Sequence, residues 1–311
     1  MALDYTSTKL VADLKRRSSY PTSEELHSDQ ELCDFMTDCQ EFRVVPQIMK
    51  TREEHFVSTV DIPLVNGQDA YDLPERAIGA KIRHVYILSK GSEDDTRSLP
   101  RLEPEDAVHY GNLNYRAVSD PAGYYFEANK IRIVPTPNTT NDVIRLVYYR
   151  RPSRIVTVDQ TARITAIDTN LNQITVEAFP ADFADGDYDI VKAKPPFSSS
   201  DDVAITAVNT VLNTASVPAD VIGNLSVGDY VCSPGETPIP QLQADLHRIL
   251  VQYAIVKVLE SLGDLNGVQL SAASLDELEQ SLYTMLEHRD ESSPRSVSLK
   301  NTMWRNSRRL W

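Results

Sequence analysis

Acid–base or metal chemistry in this chain would have to come from its histidines, cysteines and paired carboxylates. His27, His55, His84, His109, His247 and His288 fall in six separate stretches. A zinc or hydrolase site needs such residues at fixed spacing, because ligands or a base must converge on one reacting atom. There is no His-Glu-x-x-His, Gly-x-Ser-x-Gly, Walker-type or dinucleotide glycine motif. With 11 glycines in 311 residues, no glycine cluster could cradle a phosphate. The pairs Glu24–Glu25, Glu53–Glu54, Asp94–Asp95 and Asp201–Asp202 read as solvated surface charge; a glycosidase would need two carboxylates facing across a cleft. Cys33, Cys39 and Cys232 are an odd count without a framework, which argues against a disulfide-stapled secreted fold. Cys33 and Cys39 sit six apart on a predicted helix and point in different directions, with only His27 and His55 anywhere near. Asp185, Asp187 and Asp189 resemble the start of a calcium loop, but the later ligands and the bidentate Glu are missing, so they read as a solvated turn. The expectation is no catalytic residue, no metal and no cofactor.

Nucleic-acid chemistry is the next candidate. Tyr124, Tyr125, Phe126, Tyr148 and Tyr149 could stack bases, and Arg150, Arg151 and Arg154 lie close in sequence. Cross-strand aromatic packing explains the tyrosines more simply, and three arginines do not make a groove. The formal charge is −14, and the last 20 residues carry +5, leaving residues 1–291 at −19. Such a body repels phosphate over a Debye length of roughly 8–10 Å. The closing stretch SSPRSVSLKNTMWRNSRRLW holds both tryptophans of the chain and no acid. It could be a frayed end, a nucleic-acid hook or an arm that grips a protein. Val297, Leu299, Met303, Trp304, Leu310 and Trp311 are costly to leave in water at about 25 cal/mol per Å². Trp and Arg together are the side chains most enriched at interface hot spots, which favours the arm.

The elements that would position these residues fall into three kinds. Residues 6–50 read as helical: Leu10, Val11 and Leu14 are at helical spacing, and Pro21 breaks the chain. Ser28-x-x-Glu31 is a capping box that starts a helix with a stripe of Leu32, Phe35, Met36 and Cys39, continued by Phe42. Residues 54–150 are β-rich, with a hairpin over 124–134, a short helix over 102–110 and prolines 63, 74, 135, 137 and 152 at strand ends. After the β segments helix returns: Pro240 opens one that runs through Leu242, Leu246, Ile249, Leu250, Tyr253, Ala254 and Val256 and stops at Gly263-Asp264. Ser274 opens another, with Leu275, Leu278, Leu282 and Met285 on one side. The early and late helices are expected to join in one bundle.

Between them lies an internal repeat. Residues 164–176 read ITAIDTNLNQITV and residues 205–217 read ITAVNTVLNTASV, at an offset of 41. Each copy runs on into Pro-Ala-Asp (180–182 and 218–220) and Gly-Asp-Tyr (186–188 and 228–230). A β unit of this size does not bury its apolar face alone, so the two copies are expected to pack as a small barrel or sandwich inserted in a host domain.

The order of these motifs resembles the head-to-tail adaptor (connector) proteins of tailed bacteriophages. The resemblance is carried by TSEELHSDQELCDFMTDCQEF, by Tyr71-Asp72-Leu73-Pro74 before a strand, and by the Tyr-rich strand Tyr124–Phe126. It continues in the hairpin end Ile133–Pro137, the closing strand Tyr148–Pro152 and the helix PQLQADLHRILVQYAIVKVLESLGD. It covers about residues 6–152 and 239–311, and the repeat at 155–238 is a departure from its plainest members. It implies a virion protein that forms a homo-oligomeric ring, a dodecamer, under the portal of the DNA-filled head. The ring would extend the DNA channel, let genomic DNA pass without specific binding, and give the tail nozzle or tube protein a platform. The C-terminal arm would dock on the portal protein.

The expected fold class is therefore α+β: a helical bundle from N- and C-terminal helices with a β domain, an inserted duplicated small β barrel or sandwich, and an extended C-terminal arm. The expected units are 1–54 and 239–290 for the bundle, 55–154 for the β domain, 155–238 for the insert and 291–311 for the arm. The arm residues expected to grip the portal are Arg295, Leu299, Lys300, Met303, Trp304, Arg305, Arg308, Arg309 and Trp311. No apolar run reaches the roughly 20 residues of a membrane span, and no secretory h-region opens the chain, so the protein is expected to be soluble and made in a cytoplasm; the resemblance implies the virion head–tail interface as its place after assembly there. The alternative is a surface- or glycan-binding virion or accessory protein that works through the insert; a third reading makes the tail a DNA-binding segment.

Overall fold

A computed structural model describes residues 5–18, 27–89, 95–106, 121–138 and 141–286. Helix α1 (Ser7–Arg17) buries Leu10, Val11 and Leu14, the three residues at helical spacing. Helix α2 (Asp29–Cys39) opens on the full capping box: the Glu31 amide donates to the Ser28 hydroxyl, and the Ser28 amide donates to the Glu31 carboxylate. It runs without a break through a π-helical turn (Gln40–Val44) into α3 (Val45–Thr51).

That π turn overturns one expectation. Leu32, Met36 and Cys39 are fully buried, but Phe42, expected to continue their stripe, is 75% exposed. A π turn inserts one residue into the helical period, so the inward positions slip from 43 and 47 to Val44 and Ile48, with Val45 buried beside them, and Phe42 stays on the outer side.

Helices α1, α2 and α3 share one core with the late helices. These are numbered after the short α4 (Ala219–Ile222): α5 (His247–Leu262) and α6 (Leu265–Met285). Two expected starts were misplaced. Pro240 precedes α5 by several non-helical residues and a 3₁₀ turn (Ala244–Leu246). α6 starts at Leu265, not Ser274: Asp264 reads as a stop after Gly263, yet its carboxylate accepts from the Gly267 amide and caps the next helix. Gly263, at φ 72°, takes the left-handed turn that lets α5 and α6 fold back on each other.

The β domain is a two-sheet sandwich. One sheet has the order β1-β7-β3-β4, from β1 (Val57–Pro63), β3 (Ala77–Leu88), β4 (Thr96–Ser98) and β7 (Val143–Arg150). The other is β2-β6-β5, from β2 (Ala70–Asp72), β5 (Gly123–Glu127) and β6 (Lys130–Val134), the last two forming the expected hairpin. Val85, Ile87, Ile144 and Leu146 of the first sheet pack on Tyr71, Tyr124, Ile131 and Ile133 of the second. Residues 104–106 are helical; the rest of the helix expected to run to 110 lies outside the described residues.

The repeat region forms a closed six-stranded barrel of order β10-β13-β12-β11-β14-β9. The first copy supplies β9 (Ala162–Asp168) and β10 (Gln173–Val176), and the second β12 (Ser199–Asn209) and β13 (Thr214–Ser216). The first Gly-Asp-Tyr marker opens β11 (Gly186–Val191), and the second runs into β14 (Tyr230–Cys232), whose first residue is its tyrosine. β11 pairs with β12 and β14 with β9, so each third strand completes the other hairpin and neither set of three could close alone. Both hairpin turns are built alike. Asp168 accepts from the amides of Asn170 and Leu171, and Asn209 accepts from those of Val211 and Leu212. Asn172 and Asn213 hold φ of 51° and 53°. The two necks of the barrel lie side by side as the parallel pair β8 (Arg154–Ile155) and β15 (Glu236–Thr237). Thr37 of α2 accepts from the Ile155 amide, which ties this neck to the bundle.

Candidate functional site

The densest charged cluster sits where the barrel meets the β domain. Arg76, in the turn before β3, forks onto Asp189 of β11, with Nη1 at 2.7 Å from Oδ2 and Nη2 at 2.9 Å from Oδ1. Asp189 is fully buried and also accepts from the amides of Asp202 and Gly235. Arg76 reaches Asp201 at 3.3 Å and Asp202 at 3.1 Å as well. Arg150, the last residue of β7, holds Asp201 at 2.6 Å and donates to Gln241. Two guanidiniums of the host β domain thus seat three carboxylates of the barrel. Burial pushes the Asp189 carboxyl above the ordinary aspartate range, against the pull of the Arg76 fork and the Gly235 amide. Arg76 is held firmly charged: the hydrogen bond to Asp189 and the nearby carboxylates outweigh its own burial. Clefts of about 370 and 530 Å³ flank the seat, and of the charged groups that line them Arg76, Arg150, Asp201 and Asp202 are engaged with each other.

This seat corrects the reading of Asp185, Asp187 and Asp189 as one solvated turn. Asp185 and Asp187 are exposed, and Asp185 accepts from the Val208 amide, but Asp189 lies on a strand facing a cation. Asp201–Asp202 is likewise no idle surface pair. The missed clue is GDYDIV: an aspartate beside Ile190 and Val191 in a strand needs a buried partner.

The other chemistry-bearing residues do not converge. His27 pairs with Ser261, His55 packs on Phe56, His84 on Tyr86, and His247 is buried against Tyr5 and Phe197. His109 and His288 lie outside the described residues, as do Glu24, Glu25 and Asp94. Glu53 accepts from the Tyr149 hydroxyl at 2.8 Å. Burial pushes the thiols of Cys33 and Cys39 up to about 12 and that of Cys232 well above its usual range, so none is a ready thiolate at neutral pH. Among the described residues no three His, Cys, Asp or Glu are grouped to hold a metal. The aromatics do not form one platform: Tyr124 and Phe126 belong to the three-stranded sheet and Tyr148 and Tyr149 to the four-stranded one. Arg150 serves the seat, and Arg154 pairs with Asp34 at 2.8 Å.

What remains is surface. The barrel region 155–238 has 12 acids and 3 bases, so it carries −9, about half the charge of the body. Its hairpin tips present Leu171 and Leu212, each about two-thirds exposed, with Val211 beside the second. The bundle presents Phe42, Leu265 and Leu270. The nine arm residues Arg295, Leu299, Lys300, Met303, Trp304, Arg305, Arg308, Arg309 and Trp311 all lie outside the described residues.

Residues 6–194, more than half the chain, match the family described as SU10 adaptor protein. The chain belongs to that family. It is a family of phage head–tail adaptors, structural proteins and not enzymes. The match takes in α1 to α3, the sandwich and β9 to β11, and it stops before β12. No curated protein matches the adaptor. Among its described residues no helix is long and apolar enough to cross a membrane.

Proposed function

We propose that this adaptor is the subunit of a head-to-tail ring, a dodecamer, that docks on the portal by its C-terminal arm, extends the DNA channel and carries the tail nozzle or tube. On this reading the chain divides into residues 1–54 and 239–290 as the bundle and 55–154 as the β domain. Residues 155–238 are a barrel of two copies of one three-stranded unit, and 291–311 the arm. Family membership over α1 to α3, the sandwich and the first barrel strands is the observation that carries it. The charge distribution supports it: DNA passes a strongly acidic body without sticking, while the +5 arm with both tryptophans suits a protein cleft.

The test is deletion of residues 292–311, followed by mixing with portal and imaging by negative stain. The full chain is expected to add a ring to the portal, and the truncated chain to stay folded by circular dichroism and fail to join. A truncated chain that still assembles on portal would defeat the arm assignment. The exposed Leu171, Val211 and Leu212 favour a second role for the barrel as a contact with another surface. A glycan array probed with the full chain distinguishes a sugar from a protein there.

A further inference from the structure

The edge of a β-sheet is a row of backbone donors and acceptors open to another segment, and proteins blunt such edges with short strands, lysines, prolines or bulges. In the sandwich β2 and β4 are three residues long each. The outer side of β5 is bonded by the Leu102 amide and the Pro100 carbonyl. β1 has no such device. It pairs with β7 over all seven residues without a bulge, carries no lysine and holds its one proline at its end. Its one charge, Asp61, is taken up by a fork from Arg145 of β7. From Ser58 to Ile62 no backbone hydrogen bond joins the other side of β1 to a described residue. The core stops short at the same place. Ile144 and Leu146 of β7 and Val85 and Ile87 of β3 are at most 2% exposed, whereas Val60 and Ile62 of β1 pack on that core only half-buried.

The place where the described chain ends says what can lie along this edge. Leu286, its last residue, lines a small cavity with Ile48, Arg52 and His55. β1 begins two residues after His55, and the cleft of about 370 Å³ runs from His55 past Val57 and Ser58, so the approach to the strand is open. Ten residues beyond Leu286 the sequence reads Ser296-Val297-Ser298-Leu299, alternating polar and apolar as a strand with one buried face does. Ten residues reach at most about 33 Å, and a seven-residue strand is about 23 Å long, so this stretch can lie anywhere along β1. Charge agrees: Arg295 and Lys300 flank the stretch, and the body it would lie on carries −19. A second copy would bring another body of −19 with it, while a segment of the same chain binds intramolecularly.

We propose that Ser296–Leu299 adds a strand to β1 of its own chain, with Val297 and Leu299 covering Val60 and Ile62 and the serines facing outward. This contact holds the root of the arm and leaves residues 303–311 for the portal; it does not depend on the portal contact. Hydrogen exchange of the full-length chain tests it. The amides of residues 58–62 are expected to exchange at least about tenfold faster in Val297→Pro, which cannot donate to a ladder, than in the wild type or Val297→Ile. Equal exchange in all three overturns the contact. A chain carrying both Thr59→Cys and Ser298→Cys, treated with a short bismaleimide, is expected to link within itself; the native thiols are buried and stay out of the reaction. Links that form only between chains give the edge to a second copy and overturn the assignment. The arm reading fails separately. Unchanged exchange in Val297→Pro, with portal binding lost on deletion of 292–311, sinks the strand and keeps the arm; faster exchange, with normal assembly of the truncated chain on portal, does the reverse.

Discussion

The barrel and the bundle both close around apolar cores, but they differ in what they leave outside and in how they meet the sandwich. In the barrel every strand has two neighbours, and its exposed apolar residues are confined to turns: Leu171, Val211, Leu212 and Val227. It joins its host through ions, Arg76 and Arg150 against Asp189, Asp201 and Asp202. The bundle core takes in Ile78 of the sandwich, with Glu53 accepting from the Tyr149 hydroxyl beside it, and the bundle leaves Phe42, Leu265 and Leu270 on the faces of its helices. A closed barrel has no edge to satisfy, so it can be mounted as a finished part. The bundle has unfinished faces, which is what a subunit of an assembly needs.

The largest expected effect is at the mount. Arg76→Met strands the buried Asp189 carboxylate and is expected to cost about 3–5 kcal/mol in urea denaturation. Adding Asp189→Asn should recover part of it, because the neutral amide still accepts from Gly235 but no longer leaves a charge unpaired. A loss under 1 kcal/mol for Arg76→Met would make the mount a screened surface pair, and the contrast with the bundle would collapse.

The second comparison is inside the bundle, between two residues on either side of the π turn. Ile48→Ala removes a buried side chain and is expected to cost about 2–5 kcal/mol. Phe42→Ser is expected to change monomer stability by no more than about 0.5 kcal/mol. Equal losses would mean that Phe42 is a core residue after all.

The third concerns the joint at which Val191, Phe197 and Tyr230 of the barrel region meet the approach to α5. His247 lies there, its Nε2 at 3.2 Å from the Leu242 carbonyl oxygen and its ring against Tyr5 and Phe197. Burial lowers its pKa below 6.5, against the pull of the backbone carbonyls. The unfolded chain therefore binds a proton more readily than the folded one. The stability tied to neutral His247 is complete above pH 6.5 and falls as pH drops below it. His247→Gln should flatten that part of the pH–stability curve, measured by melting temperature from pH 7.5 to 5; an unchanged slope would assign the dependence to another group.

Much of this was legible in the sequence because it is local. The capping box at Ser28, the hairpin over 124–134 and the strand 77–88 are set by side chains within a few positions of each other. The repeat was legible because Asx turns and αL asparagines leave a fixed residue pattern. Three things were not. The π turn has no residue signature of its own, so Phe42 was read in phase with Cys39. Asp264 serves two helices, ending one and capping the next, and only one role shows in a linear reading. The mount joins Arg76 to Asp189 across 113 residues, and no spacing rule links a turn in one domain to a strand in another.

The smallest effects test the barrel's two hairpins against each other. Asp168 and Asn209 each accept two backbone amides at the start of their turns, at 2.9–3.2 Å and 3.0 Å. Asp168→Ala and Asn209→Ala should each cost about 0.5–1.5 kcal/mol, since both sites are exposed and water replaces part of what is lost. If the turns do the same work, the two costs should match within about 0.5 kcal/mol, and the double variant should depart from their sum, because sites that share a hydrogen-bond network do not add. Unequal costs would place more of the closure on one hairpin. The register suggests where to look: the Val176 amide donates to the Asn213 carbonyl and the Val217 amide to the Asn172 carbonyl, both at 2.9 Å. Each turn is therefore held by the strand that follows the other turn, and loosening either one should loosen both.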